Sequence, residues 1–249
     1  MKSSRLDLDT LAEAFIKGWE IANATRRVSI AYAGIFTVIG ALILGGLIAS
    51  GRTPFIIPAA GAFMLVAPAT LAGFFAVARK VDAGETADFR TLMSGFPAAS
   101  HSLWGLALAC GMLSMIFITD VAILYSYMVG SSEIFIGNFV ALPDRVGNFV
   151  FWGMISGAVV ALLLFAVSVF SVPLLCERRA TLVEAVVTSV SLTLKHFLVL
   201  MLWAGVLAFV IIGSVLLLPL LPMTLPWLAY ASYALYCAVL PPEVVSSEG

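Results

Sequence analysis

Asp120 is the only ionisable residue that lies well inside a long apolar stretch of this 249-residue chain. A charge at the centre of a membrane helix costs about 2.5–3.5 kcal/mol on insertion scales, so such residues usually face a protein interior or water. A protonated Asp120 at low dielectric is suited to bind or relay a proton or a cation. Alternatively, because Asp120 lies in the outer third of its stretch, its carboxylate reaches the membrane surface or pairs with Arg52 or Arg145. The sequence leaves both interpretations open.

The histidines and cysteines are too few and too scattered for a metal or haem site. A haem with two axial histidines, or a haem–copper centre, needs several imidazoles at depth in a helical bundle, whereas His101 and His196 each lie at the end of an apolar stretch. Cys110, Cys176 and Cys237 lack the C-x-x-C or His-paired spacing of zinc sites. Gly-x-Ser-x-Gly, His-Glu-x-x-His and phosphate-loop motifs are also missing from the sequence. We therefore expect no enzyme and no bound cofactor.

The composition is that of a membrane protein. Hydrophobic residues make up 62% of the chain and charged residues 11%, with a mean hydropathy of +1.10, whereas soluble domains carry about 25% charged residues. A helix needs roughly 20 mostly apolar residues to cross a bilayer, and lipid offers no partner for free backbone groups. We predict an all-α polytopic protein with six transmembrane helices at residues 28–49, 55–78, 103–125, 149–175, 197–218 and 225–240.

Basic residues predict the orientation of these spans. Eleven of the thirteen lysines and arginines lie before the first span or in the loops after the second and fourth spans. Lysine and arginine mark the cytoplasmic side of a bacterial inner membrane, so both termini are predicted to be cytoplasmic. The basic pairs at that level are candidate contacts for anionic lipid headgroups, and the near-neutral net charge indicates no nucleic-acid partner. The candidate headgroup contacts are Arg26, Arg27, Arg79, Lys80, Arg178 and Arg179.

A low-resolution repeat divides the single transmembrane domain into three units, at residues 8–80, 84–176 and 180–240. Thr10 with Glu13, and Thr181 with Glu184, have the spacing of capping boxes that open helices. A middle copy begins near Thr86, without the glutamate, and is expected to end at Pro97. Each unit is then an interfacial amphipathic helix followed by a helical hairpin. The expected apolar faces are Leu11, Phe15, Trp19 and Ala22 in the first unit, and Leu182, Val186, Val190 and Leu194 in the third.

Local packing signals accompany this pattern. Pro68 and Pro173 lie inside predicted spans and should kink them, because proline removes a helical hydrogen bond. The small-residue pairs Gly153-x-x-x-Gly157 and Ala41-x-x-x-Gly45 allow helices to approach closely. We interpret these pairs as internal packing rather than as a dimer face.

Two segments of the chain resemble one known family. The first signature comprises residues 55–58, Gly61, Val66, Pro68, Gly73 and residues 75–85, and the second comprises residues 165–175, residues 181–191 and Trp203. These resemble the bacterial integral-membrane family called domain of unknown function 2189, some of whose members are labelled as related to cytochrome c oxidase subunit I. The resemblance implies a six-helix membrane fold and no established activity. The family usually ends in a histidine- and arginine-containing pattern that is missing from residues 223–230, so no role for those groups carries over.

Two functions remain open after this reading. The first is a non-catalytic accessory, assembly or scaffolding subunit of a membrane complex, such as a respiratory complex, that contacts lipids and other membrane-protein subunits. The second is a small transporter or ion-coupled carrier that uses Asp120. A water-filled cleft that reaches Asp120 would favour transport, and a closed bundle would favour scaffolding.

Overall fold

A computed structural model describes residues 6–50, 56–95, 101–128 and 144–241, without the side chains of residues 56–66, 69, 144–146, 215 and 216. Within these ranges the fold is all-helical and contains no strand, as predicted. The helices are α1 (Leu8–Ala24), α2 (Arg26–Ala49), α3 (Ile56–Asp82), α4 (Phe89–Met93), α5 (His101–Met128), α6 (Asp144–Ser168), α7 (Ser171–Cys176), α8 (Leu182–Lys195), α9 (Phe197–Leu216) and α10 (Leu221–Val239), with a 3₁₀ turn at Leu218–Leu220.

Four of the described helical segments are long and apolar enough to cross a bilayer. They are Arg26–Ala49, His101–Met128, Gly147–Cys176 and Phe197–Ser214. The predicted count of six spans is not confirmed, because α3 and α10, which form at the second and sixth predicted spans, are not among the four.

The central position of α10 explains why it differs from the other long helices. Ten of its 19 residues are buried, and α10 packs against α1, α2, α3 and α9. Its tyrosines stack on α3: the rings of Phe74 and Tyr230 lie 5.6 Å apart, and those of Phe75 and Tyr233 lie 5.3 Å apart. A helix that is covered by protein on several sides does not need the uniformly apolar surface of a lipid-facing helix.

The face that α1 buries against the protein differs from its predicted apolar face. Leu11, Ala14, Gly18 and Ile21 are buried, whereas Trp19 is 54% exposed. The reason is the closeness of α10: a Cβ atom added at Gly18 would lie 2.6 Å from the backbone nitrogen of Ala231. Only small residues fit at that distance, so the large apolar side chains lie beside the contact rather than in it.

The same shift of the buried face occurs in α8. Ala185, Ser189, Leu192 and Thr193 are buried, whereas Leu194 of the predicted stripe is 67% exposed. Small residues again form the centre of the contact face.

The helix that contains Pro173 is broken just before it, as α6 ends at Ser168 and α7 begins at Ser171. Ser189 of α8 bridges the break: its hydroxyl donates to the carbonyl of Ala166 at 2.7 Å and accepts from the N–H of Phe170 at 3.2 Å. These two backbone groups would bond to each other in an uninterrupted helix, so the serine is inserted into the helical ladder. By contrast, α3 runs through Pro68 without a break.

One of the two predicted capping boxes forms. The Thr181 backbone donates to the Glu184 carboxylate at 2.9 Å, and the N–H of Glu184 donates to the Thr181 hydroxyl. The box predicted at Thr10 and Glu13 is wrong, because α1 already begins at Leu8 after Asp7.

The middle short helix, α4, has a capping box that the sequence pattern did not predict. Asp88 accepts from the N–H of Thr91 at 3.0 Å, and the Thr91 hydroxyl accepts from the N–H of Asp88. The acid and the hydroxyl are exchanged relative to the Thr-x-x-Glu pattern, so that pattern does not reveal this box. The predicted end of this helix at Pro97 lies outside the described residues.

The small-residue pairs make few contacts within the described part of the chain. No described atom lies within 4 Å of a Cβ built at Gly45 or Gly153, and a Cβ at Gly157 would meet only the ring of Phe117. The interpretation as internal packing is therefore not supported at Gly45 and Gly153. The close approaches occur instead at Gly18, Gly73 and Gly95.

Candidate functional sites

Asp120 lies in the second half of α5, with a partly exposed side chain. Neither a hydrogen bond nor an ion pair joins it to any residue whose side chain is described. Of its two predicted partners, Arg52 lies outside the described residues, and only the backbone of Arg145 is described. An apolar cavity of about 460 Å³ between α5 and α6 is lined by Phe117, Tyr125 and Phe149 on neighbouring turns, but Asp120 is not among its lining residues.

The most extensive polar cluster that the structure describes joins the end of α7 to the end of α10. Glu177 accepts hydrogen bonds from the hydroxyls of Tyr233 at 2.8 Å and Tyr236 at 2.6 Å. Arg179 donates to the Tyr236 hydroxyl at 2.9 Å and to the carbonyls of Leu240 and Pro241, both at 3.0 Å. The arginine and the glutamate also form an ion pair at 3.5 Å, with side-chain exposures of 21% and 13%. This cluster holds the end of α10 against the loop after α7.

The backbone at this loop is specially shaped. Arg178 has a φ of 55°, and the N–H groups of Arg178 and Arg179 donate to the carbonyls of Leu175 and Leu174. This is a Schellman ending, in which glycine usually occupies the left-handed position. The strained Arg178 aims the chain so that Arg179 reaches the end of α10.

The other predicted headgroup contacts have different surroundings. Lys80 lies 3.9 Å from Glu85, and Arg179 is committed to the cluster just described. Arg26 and Arg27 are exposed at the start of α2 and form no ion pair with a described residue. Arg79 and Arg178 are likewise exposed. Contact of these residues with lipid headgroups stays a prediction.

A polar elbow joins α1 to α2. The hydroxyl of Thr25 donates to the carbonyl of Ile21 at 2.7 Å and lies 2.9 Å from the Ser29 hydroxyl. Ser29 is in turn 2.6 Å from the hydroxyl of Tyr230 in α10. Threonine that bonds back to its own helix often bends it, and α1 ends at Ala24, directly before Thr25, with α2 beginning at Arg26. All three hydroxyl-bearing residues are buried.

A groove opens beside this elbow. It has a volume of about 260 Å³, and Ser29 and Pro226 line it together with the polar side chains of Arg26 and Asn23. The other lining residues are Trp19, Ala22, Ile30 and Met223.

The histidines and cysteines are dispersed in the structure. His101 begins α5, and His196 separates α8 from α9, as expected from their positions at the ends of apolar stretches. Among the described residues no three histidine, cysteine or acidic side chains are grouped in a way that could hold a metal ion. The cysteines are free thiols.

Outside the predicted spans, two carboxyl groups have lowered pKa values. Hydrogen bonds from the Thr181 backbone and hydroxyl hold the pKa of Glu184 below its usual range. The hydroxyl and the N–H of Thr91 lower the pKa of Asp88 in the same way. Both effects follow from hydrogen bonding to the charged form.

Sequence reasoning missed the Glu177 cluster and the elbow. The usable signal for the first was an acid directly before a basic pair, combined with Tyr233 and Tyr236 three residues apart on one helix face. For the elbow, Thr25 and Ser29 are one turn apart, which places both hydroxyls on one side. Neither signal shows that the two segments meet: Glu177 is 56 positions from Tyr233, and Ser29 is 201 positions from Tyr230.

Comparison with known proteins gives a match that covers nearly all of the first family signature (residues 55–85) and residues 165–175 of the second. Residues 56–177 match the family model described as predicted integral membrane protein (DUF2189). No curated protein and no solved structure matches the chain. Residues 56–177 are therefore similar to DUF2189, a family of predicted integral membrane proteins, and the resemblance inferred from the motifs is confirmed over that segment.

Proposed function

We propose that this integral membrane protein is a non-catalytic accessory, assembly or scaffolding subunit of a membrane complex, acting through helix packing and lipid contact. The observation that carries the proposal is the uncovered apolar surface of two helices. Only 17% of the most apolar window of α2, and 17% of that of α9, is buried inside the protein. Leu42 is 71% exposed, Leu198 82% and Phe209 81%. In a bilayer such faces contact lipid or another subunit.

Small residues on the same helices favour a protein partner. No described atom lies within 4 Å of a Cβ at Gly45 of α2, or at Gly205 or Gly213 of α9. Helices associate in membranes through van der Waals contact at small residues, because lipid is as apolar as leucine. An open glycine beside exposed leucines therefore supports a helix of another subunit as the neighbour, and a respiratory complex in a bacterial inner membrane is the partner that we propose.

The contacts of the short helices support a rigid scaffold. Helix α1 packs on α10, α4 on α3, and α8 on α6. We infer that each interfacial helix of the three proposed units contacts the second long helix of the unit before it, with α1 closing the ring onto the last unit. Gly18, Gly95 and Ser189 occupy corresponding positions in these three contacts. Such a ring stiffens one end of the bundle and leaves α2 and α9 free for a partner.

Photo-crosslinking in the native membrane tests the packing role. Benzoylphenylalanine at Leu42, Leu198 or Phe209 should yield an adduct with one protein of defined mass. The matched control is Leu200, which is fully buried on the same helix as Leu198 and should yield only crosslinks within the chain. If the three exposed positions yield only lipid adducts, the proposed packing role is wrong.

Transport through Asp120 is the second candidate function. It is favoured by the partly buried carboxylate, which forms no ion pair with any described side chain. The cavity between α5 and α6 opposes it, because that cavity is apolar and Asp120 does not line it. Transport predicts that Asp120→Asn abolishes a pH-dependent flux in proteoliposomes, whereas Thr119→Val, on the exposed neighbouring residue, leaves the flux intact. Equal flux from both variants and the parent would exclude this role for Asp120.

A further inference from the structure

We propose that the groove between the α1–α2 elbow and α10 binds one anionic glycerophospholipid, with the phosphate at Arg26 and Asn23 and an acyl chain along Ile30 and Met223. This site goes beyond the proposed packing role and does not depend on it. It requires only that the protein lies in a membrane.

The lining of the groove is mixed in chemistry. Arg26 and Asn23 provide donors, and Ile30, Met223 and Pro226 provide apolar surface. An occupant that matches both carries a negative head and a hydrocarbon chain. Arginine binds phosphate oxygens with two parallel hydrogen bonds, and basic pockets between membrane helices bind anionic lipid headgroups.

The position of the groove agrees with this occupant. Arg26 is the first residue of the apolar helix α2, one of the four segments able to cross a bilayer. Trp19, which is 54% exposed at the rim, is of the type that gathers at membrane–water interfaces. The ring of Trp227 supports the Trp19 indole at 5.8 Å. Arg26 and Asn23 would therefore lie at headgroup level, with Ile30 of the apolar lining one turn further along α2.

Arg26 is the basic residue that lines this groove, and it differs from the paired basic residues in its charge balance. Lys17 is paired with Asp82 at 3.1 Å, and Arg179 is paired with Glu177. No described acidic group neutralises Arg26, and an added anion supplies the missing charge. The groove is preformed, because the bonds among Thr25, Ser29 and Tyr230 hold its floor. Its volume of about 260 Å³ is below that of drug-sized sites, about 300–1,000 Å³, so it holds part of a lipid whose remainder lies in the bilayer.

Native mass spectrometry of the purified full-length protein in maltoside detergent tests the site, with palmitoyl-oleoyl phosphatidylglycerol as the probe. We expect one phosphatidylglycerol molecule to bind more tightly than phosphatidylcholine of the same chain lengths. Arg26→Gln should weaken that first binding event about fivefold, since a basic residue near the membrane surface contributes about 1 kcal/mol. Met223→Trp, which fills the groove without a change of charge, should weaken it as well.

Arg27→Gln is the matched control. It removes the same charge one residue away from Arg26, and the Arg27 side chain does not line the groove. Its affinity for the first phosphatidylglycerol should stay within about twofold of that of the parent protein, which is less than the loss expected from removal of one basic contact. Equal losses for Arg26→Gln and Arg27→Gln would mean diffuse attraction and overturn the site, as would a Met223→Trp variant that binds normally. Equal binding of phosphatidylcholine would also overturn it. Melting of each variant without added lipid verifies that it is folded.

Discussion

Gly18→Ala should destabilise the protein, although alanine is the better helix former. The new Cβ would lie 2.6 Å from the backbone nitrogen of Ala231 and 2.7 Å from its Cα and Cβ. No rotamer change moves those atoms, so α1 or α10 must shift as a whole. Overpacking costs about 1–3 kcal/mol, and a contact with backbone belongs at the upper end. The gain in helix propensity is about 1 kcal/mol. We therefore expect a net loss of about 2 kcal/mol.

The assay is equilibrium unfolding in mixed dodecylsulfate and maltoside micelles, followed by tryptophan fluorescence. Trp19 and Trp227 report on the α1–α10 contact, since their rings lie 5.8 Å apart. Gly45→Ala is the matched control because its Cβ meets no described atom within 4 Å, and it should raise stability by up to about 1 kcal/mol. Amide exchange of α1 should also rise in Gly18→Ala and remain unchanged in the control. If both alanines stabilise the protein equally, α1 does not pack on α10 at this distance, and the inferred closure of the ring is refuted.

Three further predictions concern polar contacts. Glu177→Ala should lower the free energy of unfolding by about 3 kcal/mol, because it removes the charged acceptor of two tyrosine hydroxyls and the partner of an arginine. Amide exchange at the last turn of α10 should also rise. An unchanged exchange rate there would contradict the role of the cluster. Ser189→Ala should lower the free energy of unfolding by about 1–3 kcal/mol in the same assay, because a buried N–H and a partly buried carbonyl lose their bridge. The exposed Ser191→Ala should change it by no more than about 0.5 kcal/mol. Folding lowers the pKa of Glu184. Its contribution to stability is therefore complete above the ordinary carboxyl pKa and is lost as the pH falls through the lowered pKa. Glu184→Gln keeps an acceptor in the capping box but cannot titrate. Amide exchange in the first turn of α8, corrected for its intrinsic pH dependence, should therefore no longer accelerate at acid pH. If the acceleration persists in this variant, another group titrates.

The sequence predicted the helices well and the contacts between them poorly. Hydropathy located α2 and α5 to within three residues at each end, because about twenty consecutive apolar residues have few alternatives to a helix in lipid. Helix α10 begins four residues before the predicted span, since Pro222 is tolerated in its first turn, and the helix continues through Pro226. Hydropathy does not distinguish a helix that faces lipid from one that faces protein, and for this reason the covered helix α10 was counted with the others.

The faces that α1 and α8 bury against the protein differ from their predicted apolar faces for a specific reason. In a water-soluble protein the largest apolar side chains mark the buried face, and by that rule Trp19 and Leu194 of the apolar faces would lie inside. Both are exposed. Where two helices approach closely, the contact is made by the smallest side chains, and the large ones are displaced to its edges. The polar sites share this difficulty: Thr25 and Glu177 carry ordinary residue types, and only the fold brings the tyrosines of α10 to them.

Gly18, Gly95 and Ser189, at corresponding positions of the inferred repeat, all need a small side chain, but two are glycine and one is serine. Gly18 faces Ala231 and Gly95 faces Gly73, and in both contacts an added Cβ would approach a backbone atom closer than 3 Å. At the third position the opposite helix is interrupted before Pro173, so its backbone exposes one acceptor and one donor. A hydroxyl satisfies both groups, and Ser189 supplies it. A glycine there would permit the approach but leave the break unbridged, and a larger side chain would separate the helices. The third contact therefore needs a residue that is both small and able to donate and accept, which accounts for serine where the other two contacts have glycine.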